Sequence, residues 1–175
     1  WVGQMGVALQ PLVDALKAEM LTYPVLHADE TPVAMLDPGA GKTHRAYLWS
    51  YSIGAFEPVK AVVYDFAESR AGKHAREFLG DWRGTLVCDD YAGYKALIAD
   101  GVTEAGCMAH ARRKFFDLHA NNQSQIAQQA LIYIQRLYQV EREVADLSPG
   151  ERERIRQEQA KPILDEFHDW LSRHR

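Results

Sequence analysis

Val25-Leu26-His27-Ala28-Asp29-Glu30-Thr31-Pro32 and Leu86-Val87-Cys88-Asp89-Asp90-Tyr91 decide the reading of this chain. Each stretch sets an aspartate inside or just after a short apolar run of strand character. A carboxylate on a strand that reads as buried is costly unless it is paired or bound to metal. A shared divalent cation accounts for both, with Asp29 and Asp89 as its ligands.

Working outward, residues 25–29 and 33–36, 44–53 and 60–66 are rich in β-branched and aromatic residues. Asp37-Pro38-Gly39-Ala40-Gly41 and the segment from Gly54 to Pro58 are short, turn-rich connections suited to antiparallel neighbours. Three strands in a meander are expected. The connections then lengthen: Ser69 reads as the N-cap of a helix from Arg70 to Leu79, ended by Gly80. A strand at Thr85–Cys88, a short helix at Ala92–Ala99, a strand at Val102–Cys107 and a helix at Ala109–His119 follow. Strand, helix, strand, helix, strand implies right-handed crossovers and parallel pairing of the later strands. In front of the sheet, Met5, Leu9, Leu12, Val13, Leu16 and Met20 recur at helical spacing, with Pro11 read as a kink or a fresh start.

Past Asn121-Asn122 the pattern is helical alone. Ile126, Ala130, Ile134, Leu137 and Val144 form one stripe, and Ser148-Pro149-Gly150-Glu151 reads as a capping box opening a helix that carries Ile155, Ile163, Phe167, Trp170 and Leu171. These stripes are free to pack on each other, on the sheet or on another chain. The expected organisation is a leading helix at 1–22, a core at 23–120 and a helical hairpin insertion at 121–175. The fold class is α/β, a mixed five-stranded sheet with three antiparallel strands and then two parallel ones. That order is the one of the ribonuclease H-like fold, in which the first and fourth strands are neighbours. Asp29 and Asp89, sixty residues apart in sequence, would then reach one metal ion.

Composition sets the outer bounds. The chain has 175 residues, 47% hydrophobic and 25% charged, enough for a full core with an appended helical piece. No apolar run approaches the roughly 20 residues of a membrane helix and no signal-peptide pattern is present, so the cytoplasm is the expected location. The two cysteines, Cys88 and Cys107, read as reduced core residues. Beginning at Trp1 and ending at Arg175 inside a helical pattern, the chain reads as a piece of a longer protein. A net charge of −4, from 20 Lys and Arg against 24 Asp and Glu, argues against a general nucleic-acid coat. Basic residues still cluster at Arg112-Arg113-Lys114, and again at Arg173, His174 and Arg175, where local phosphate contacts remain open.

Three strings carry a family resemblance: HADETPV at 27–33, YDFAESRAGKHAREFLGDWRGTLVCDDYAGY at 64–94 and CMAHARRKFFD at 107–117. In this order and spacing they resemble the catalytic region of the insertion sequence 66 family of bacterial transposases, over most of the chain. The resemblance implies a DDE-type catalytic domain whose Asp, Asp, Glu triad binds metal, with Asp29 and Asp89 matching the two aspartates. It further implies Mg²⁺, with Mn²⁺ as a substitute, hydrolysis of a phosphodiester at a transposon end, and transfer of the freed 3′-hydroxyl to target DNA. A homo-oligomer on DNA is expected by the same resemblance. The family's glutamate follows a helical insertion in an asparagine-rich string, which does not occur before Arg175. The third acid is therefore expected outside this chain, and the helical acids Glu158, Asp165, Glu166 and Asp169 are poor substitutes.

Other residues carry competing readings. Glu30 and Asp90 adjoin the two aspartates, but strand alternation turns neighbours to opposite faces, so they read as non-ligands, either supporting the site or solvated. Cys107 and His110 invite a zinc reading that lacks a second ligand pair. His110 reads instead as a contact to phosphate or substrate, with a core or capping role as the equal alternative. Arg112, Arg113 and Lys114 open a helix after the fifth strand, on the side where the carboxyl ends of the parallel strands lie, and are candidate DNA contacts. A solvated helix face is the plain alternative. Tyr91 and Tyr94 suit either base stacking or packing beneath the short helix, the latter favoured. Gly39-Ala40-Gly41-Lys42-Thr43 lacks a complete phosphate-loop string and reads as a hairpin turn. Two other function classes fit the same residues: a ribonuclease H-like nuclease or resolvase without strand transfer, and a non-catalytic interaction module built on the tail helices.

Overall fold

The first strand of the sheet, β1 (Val25–Leu36), is paired on both sides. The structure, a computed structural model, describes residues 1–174. On one side β1 runs antiparallel to β2 (Thr43–Ile53), which in turn pairs antiparallel with β3 (Val62–Ala67). On the other it runs parallel to β4 (Thr85–Cys88), which pairs in parallel with β5 (Thr103–Gly106). The order is β3-β2-β1-β4-β5. The expected mixed sheet is therefore present, an antiparallel meander extended by two parallel strands.

Local chemistry explains each junction. Gly39 and Gly41 adopt φ of 90° and 65°, left-handed conformations that a side chain disfavours, and so close the β1–β2 hairpin. The Gly39–Thr43 segment is thus the turn expected of it. The two strand segments expected at 25–29 and 33–36 are one strand, because β1 keeps its antiparallel register with β2 from Leu26 to Leu36 without a break. The leading helix α1 (Val2–Met20) runs through Pro11 without restarting. The next helix, α2 (Lys73–Leu79), starts later than expected. Ser69 Oγ accepts from the backbone N–H of Ala71 at 3.4 Å and bonds His74 Nε2 at 3.0 Å, so it closes a turn ahead of the helix instead of capping it. Past β4 a 3₁₀ turn (Ala92–Tyr94) leads into α3 (Lys95–Ala99).

One core serves these elements. Met20, Leu26, Trp49, Tyr51, Leu79, Leu86, Tyr94 and Leu97 are almost fully buried in it. Tyr51 stacks on Phe78 with ring centroids 3.7 Å apart, and Tyr94 meets Trp49 edge-on at 6.0 Å. Gly72 and Gly93 bring the loop before α2 against the 3₁₀ turn after β4, and a Cβ on Gly72 would overlap the Gly93 backbone.

The residues from Met108 onward form a second compact unit, separate from Trp1–Cys107. It contains α4 (Met108–Asn122), α5 (Gln125–Glu143), α6 (Pro149–Ile155), a π-helical turn (Arg156–Ala160) and α7 (Lys161–Arg173). Ser124 caps α5, accepting from Ala127 N–H, and Ser148 with Glu151 forms the expected capping box. The stripes of α5 and α7 pack on each other: Ala130, Tyr133, Ile134 and Phe167 are buried, with Phe115 of α4 and Trp170 against them. His174 is occupied locally, stacked on Trp170 at 4.4 Å and bonded to its carbonyl, while Arg175 lies outside the described residues. No described helix is long and apolar enough to cross a membrane.

The Gly72–Gly93 approach makes a test. Gly72→Ala forces two backbones apart and should lower the unfolding free energy of the chain by about 1–3 kcal/mol, read by denaturant titration.

Candidate functional site

Asp29 and Asp89 leave the sheet from adjacent strands. The parallel register pairs Val25 with Thr85, Leu26 with Leu86 and His27 with Val87. Continued by two positions on each strand, it sets Asp29 level with Asp89. The ladder of β4 ends at Cys88, and Asp89 opens a turn in which its Oδ1 accepts from the backbone N–H of Tyr91 at 3.0 Å. Asp29 Oδ1 accepts from the backbone N–H of Glu30 at 2.9 Å, and its carbonyl accepts from Ser50 Oγ at 3.3 Å. Both carboxylates are thus oriented by the main chain.

The buried acid of β1 is Glu30, not Asp29. Leu26, Ala28 and Glu30 alternate into the core while His27 and Asp29 are exposed. The burial cost expected of Asp29 therefore falls on its neighbour, and Glu30 is not solvated. It is neutralised in place. Arg70, in the loop between β3 and α2, donates from Nε and Nη2 to Glu30 Oε1 at 2.7 and 2.5 Å, and Tyr94 Oη donates to Oε2 at 2.7 Å. The Glu30 side chain is 1% exposed and that of Arg70 42%. Arg70 Nη2 also lies 3.9 Å from Asp89 Oδ2. Partial burial works against the guanidinium's charge, but the hydrogen bonds and charge of Glu30, with the charge of Asp89, outweigh it and raise its pKa. Burial, then the charge of Glu30, pushes the Tyr94 hydroxyl far up, so it remains a donor. Its alternation with Leu26 and Ala28 was the sequence signal for Glu30.

Tyr91 supports the same group. Its ring lies under the Arg70 guanidinium, 3.9 Å from centroid to Cζ, and its hydroxyl donates to the Arg70 carbonyl. Tyr91 and Tyr94 are therefore packing residues, as favoured from the sequence, and Tyr94 is fully buried. Asp90 is exposed and pairs with Lys95 at 2.9 Å, and Lys95 also reaches Glu104 at 2.9 Å. These two hydrogen-bonded acids raise the Lys95 pKa.

The remaining candidates lie in the second unit. Arg112, Arg113 and Lys114 are exposed on the first half of α4, with Arg112 over the Phe116 ring at 5.7 Å, and His110 is half-buried one turn earlier. Among the described residues no group of three His, Cys, Asp or Glu side chains could hold a metal ion. Cys88 is buried, and burial, then Glu104, pushes its thiol up to about 11. For a hard cation, the oxygen donors of Asp29 and Asp89 fit in type, and no third acid stands with them among the described residues.

The fold and this pair of acids define an α/β protein with two carboxylates just past the point where the parallel pairing of β1 with β4 ends. The chain matches the model of the transposase IS66 family over residues 1–175, and it belongs to that family. It is 35% identical to the uncharacterized protein y4qI of Sinorhizobium fredii, over 94% of this chain and 33% of that protein. The uncharacterized proteins y4hP and y4jD of the same organism are 32% and 33% identical, over 99% and 94% of this chain and 35% and 34% of their own lengths. The chain thus spans about a third of the curated relatives it matches.

Removing one partner from the cluster around the buried Glu30 should unsettle the sheet unit. Tyr94→Phe leaves Glu30 Oε2 short of a donor and should cost about 1–3 kcal/mol of unfolding free energy. Glu30→Ala should cost at least as much by the same titration, because it empties a buried site, while the half-exposed Arg70 recovers solvent.

Proposed function

We propose that this chain is the catalytic core of a DDE-type transposase, built on a ribonuclease H-like sheet and acting on DNA phosphodiesters at transposon ends. The observation that carries the reading is the β1–β4 register, which levels Asp29 with Asp89, in a chain of transposase family membership. A sheet order of β3-β2-β1-β4-β5 with acids at these two strand positions supports the ribonuclease H-like assignment.

In this reading Asp29 and Asp89 hold Mg²⁺, or Mn²⁺ in its place. A divalent ion bound there supplies Lewis acidity at the scissile phosphate and activates the attacking oxygen. The chain's own part is to aim the carboxylates. The Glu30 N–H fixes one oxygen of Asp29, and the Tyr91 N–H fixes Oδ1 of Asp89 while Oδ2 remains on the side of Arg70. Strand cleavage and strand transfer would both use these positions: in the first, water attacks the phosphorus and the 3′-oxygen of the transposon end leaves as a hydroxyl; in the second, that 3′-hydroxyl attacks a target phosphodiester and the target's own 3′-oxygen leaves. The triad calls for a further acid besides these two.

DNA is the partner, as transposon ends and target, and two ends held together call for a homo-oligomer. Arg112, Arg113 and Lys114, each exposed on the first half of α4, are suited to phosphate contacts, with His110 a turn away. These contacts position DNA without reading its sequence.

The test is made with the complete protein. Asp29→Asn and Asp89→Asn should each abolish Mg²⁺-dependent cleavage of transposon-end DNA and leave the circular dichroism spectrum unchanged. Cleavage retained by either variant would overturn the reading. Neutralising Arg112, Arg113 and Lys114 together should weaken DNA binding and flatten its salt dependence by about three charges' worth of slope, since each phosphate contact contributes roughly one unit.

A further inference from the structure

We infer that Arg70 is a phosphodiester-binding residue of this site, its guanidinium pre-oriented by Glu30 and Tyr91 to grip a phosphate oxygen beside Asp89. The inference deepens the transposase reading and rests on it for the identity of the substrate.

A guanidinium has a fork of donors in one plane, and Arg70 uses only part of it. The inner edge, Nε and Nη2, is held by Glu30, whose carboxylate is buried and locked on its other oxygen by Tyr94. The face of the guanidinium lies on the Tyr91 ring. The Tyr91 hydroxyl also fixes the Arg70 main chain by donating to its carbonyl. With its plane, edge and backbone held, the group keeps one orientation. Nη1 has no partner among the described residues, and the side chain is 42% exposed. Nη2 approaches Asp89 to 3.9 Å, an ion-pair distance longer than a hydrogen bond, so Asp89 orients toward the cation without using up its donors.

The function follows from charge. Asp29 and Asp89 repel a phosphodiester, and a cation fixed next to them offsets that repulsion where the backbone must approach. Glu30 is the positioning residue here: its buried charge keeps the guanidinium in place, and the second oxygen shared with Tyr94 keeps Glu30 in place. A lysine at position 70 would retain the charge but not the planar fork, and would not lie across Tyr91 in the same way. A purely structural Arg70–Glu30 pair would hold the loop to the sheet and show no preference for a charged phosphate.

The experiment uses the chain labelled uniformly with ¹³C and ¹⁵N, the Arg70 guanidinium signals being assigned by through-bond correlation to the Arg70 backbone amide. A short oligothymidylate is titrated in, alongside the same oligomer with uncharged methylphosphonate linkages. The Arg70 guanidinium signals should move saturably with the phosphodiester and stay still with the methylphosphonate. Arg70→Lys should weaken oligothymidylate binding about tenfold, the loss expected when a fixed guanidinium fork is replaced by a point charge. Unmoved Arg70 signals at saturation, or an equal response to both oligomers, would overturn the inference, and the wild-type titration decides this even if the variant fails to fold. Mn²⁺ broadening of the Asp89 amide, read on the same sample, separates the two claims. Broadening without an Arg70 response overturns this inference and leaves the metal reading standing, and an Arg70 response without broadening does the reverse.

Discussion

Parallel pairing of β1 with β4 is the interaction on which the rest of this structure depends. Paired residues of the two strands lie sixty positions apart in sequence. Closing so long a loop is entropically unfavourable and must be offset by what the pairing buries. The offset comes from Leu26, Ala28, Leu86 and Cys88, all turned into one core with Trp49, Tyr51 and Tyr94. The same register that buries these residues decides which side chains emerge beyond the β1–β4 ladder. A slip by one residue would carry Asp29 to the other face and bury it.

Glu30 shows how stability and function share this strand. An acid buried at 1% side-chain exposure is tolerable only because Arg70 and Tyr94 satisfy both of its oxygens. The arrangement ties three separate segments together: β1, the loop before α2, and the 3₁₀ turn after β4. Gly72 and Gly93 let the latter two segments touch, which brings Arg70 over the Tyr91 ring. A structural ion pair thereby leaves the outer edge of a cation beside Asp89.

Much of the fold was legible because its signals are local. The meander is written in β-branched runs separated by Asp-Pro-Gly and Gly-to-Pro turns, and the α6 capping box in Ser148 and Glu151. The parallel additions follow from the alternation of strand and helix after residue 68. Departures came where local chemistry has two outlets: Ser69 closes a turn instead of capping α2, and the helix through Pro11 continues without the fresh start that was one of its two readings. Of the site, Asp29 on a strand and Asp89 just after one were legible, but the assignment of burial between Asp29 and Glu30 was not. That depends on which face of β1 meets the core, and on partners 40 and 64 residues away, Arg70 and Tyr94, that carry no local mark of the role.

The central claim is that the β1–β4 register makes Asp29 and Asp89 a single cation site. Diffraction from crystals of this chain soaked in Mn²⁺, collected at the manganese edge, tests it most directly. The account predicts anomalous density bridging the two carboxylates, lost in Asp89→Asn. Manganese bound elsewhere, or carboxylates too far apart to share an ion, would contradict it.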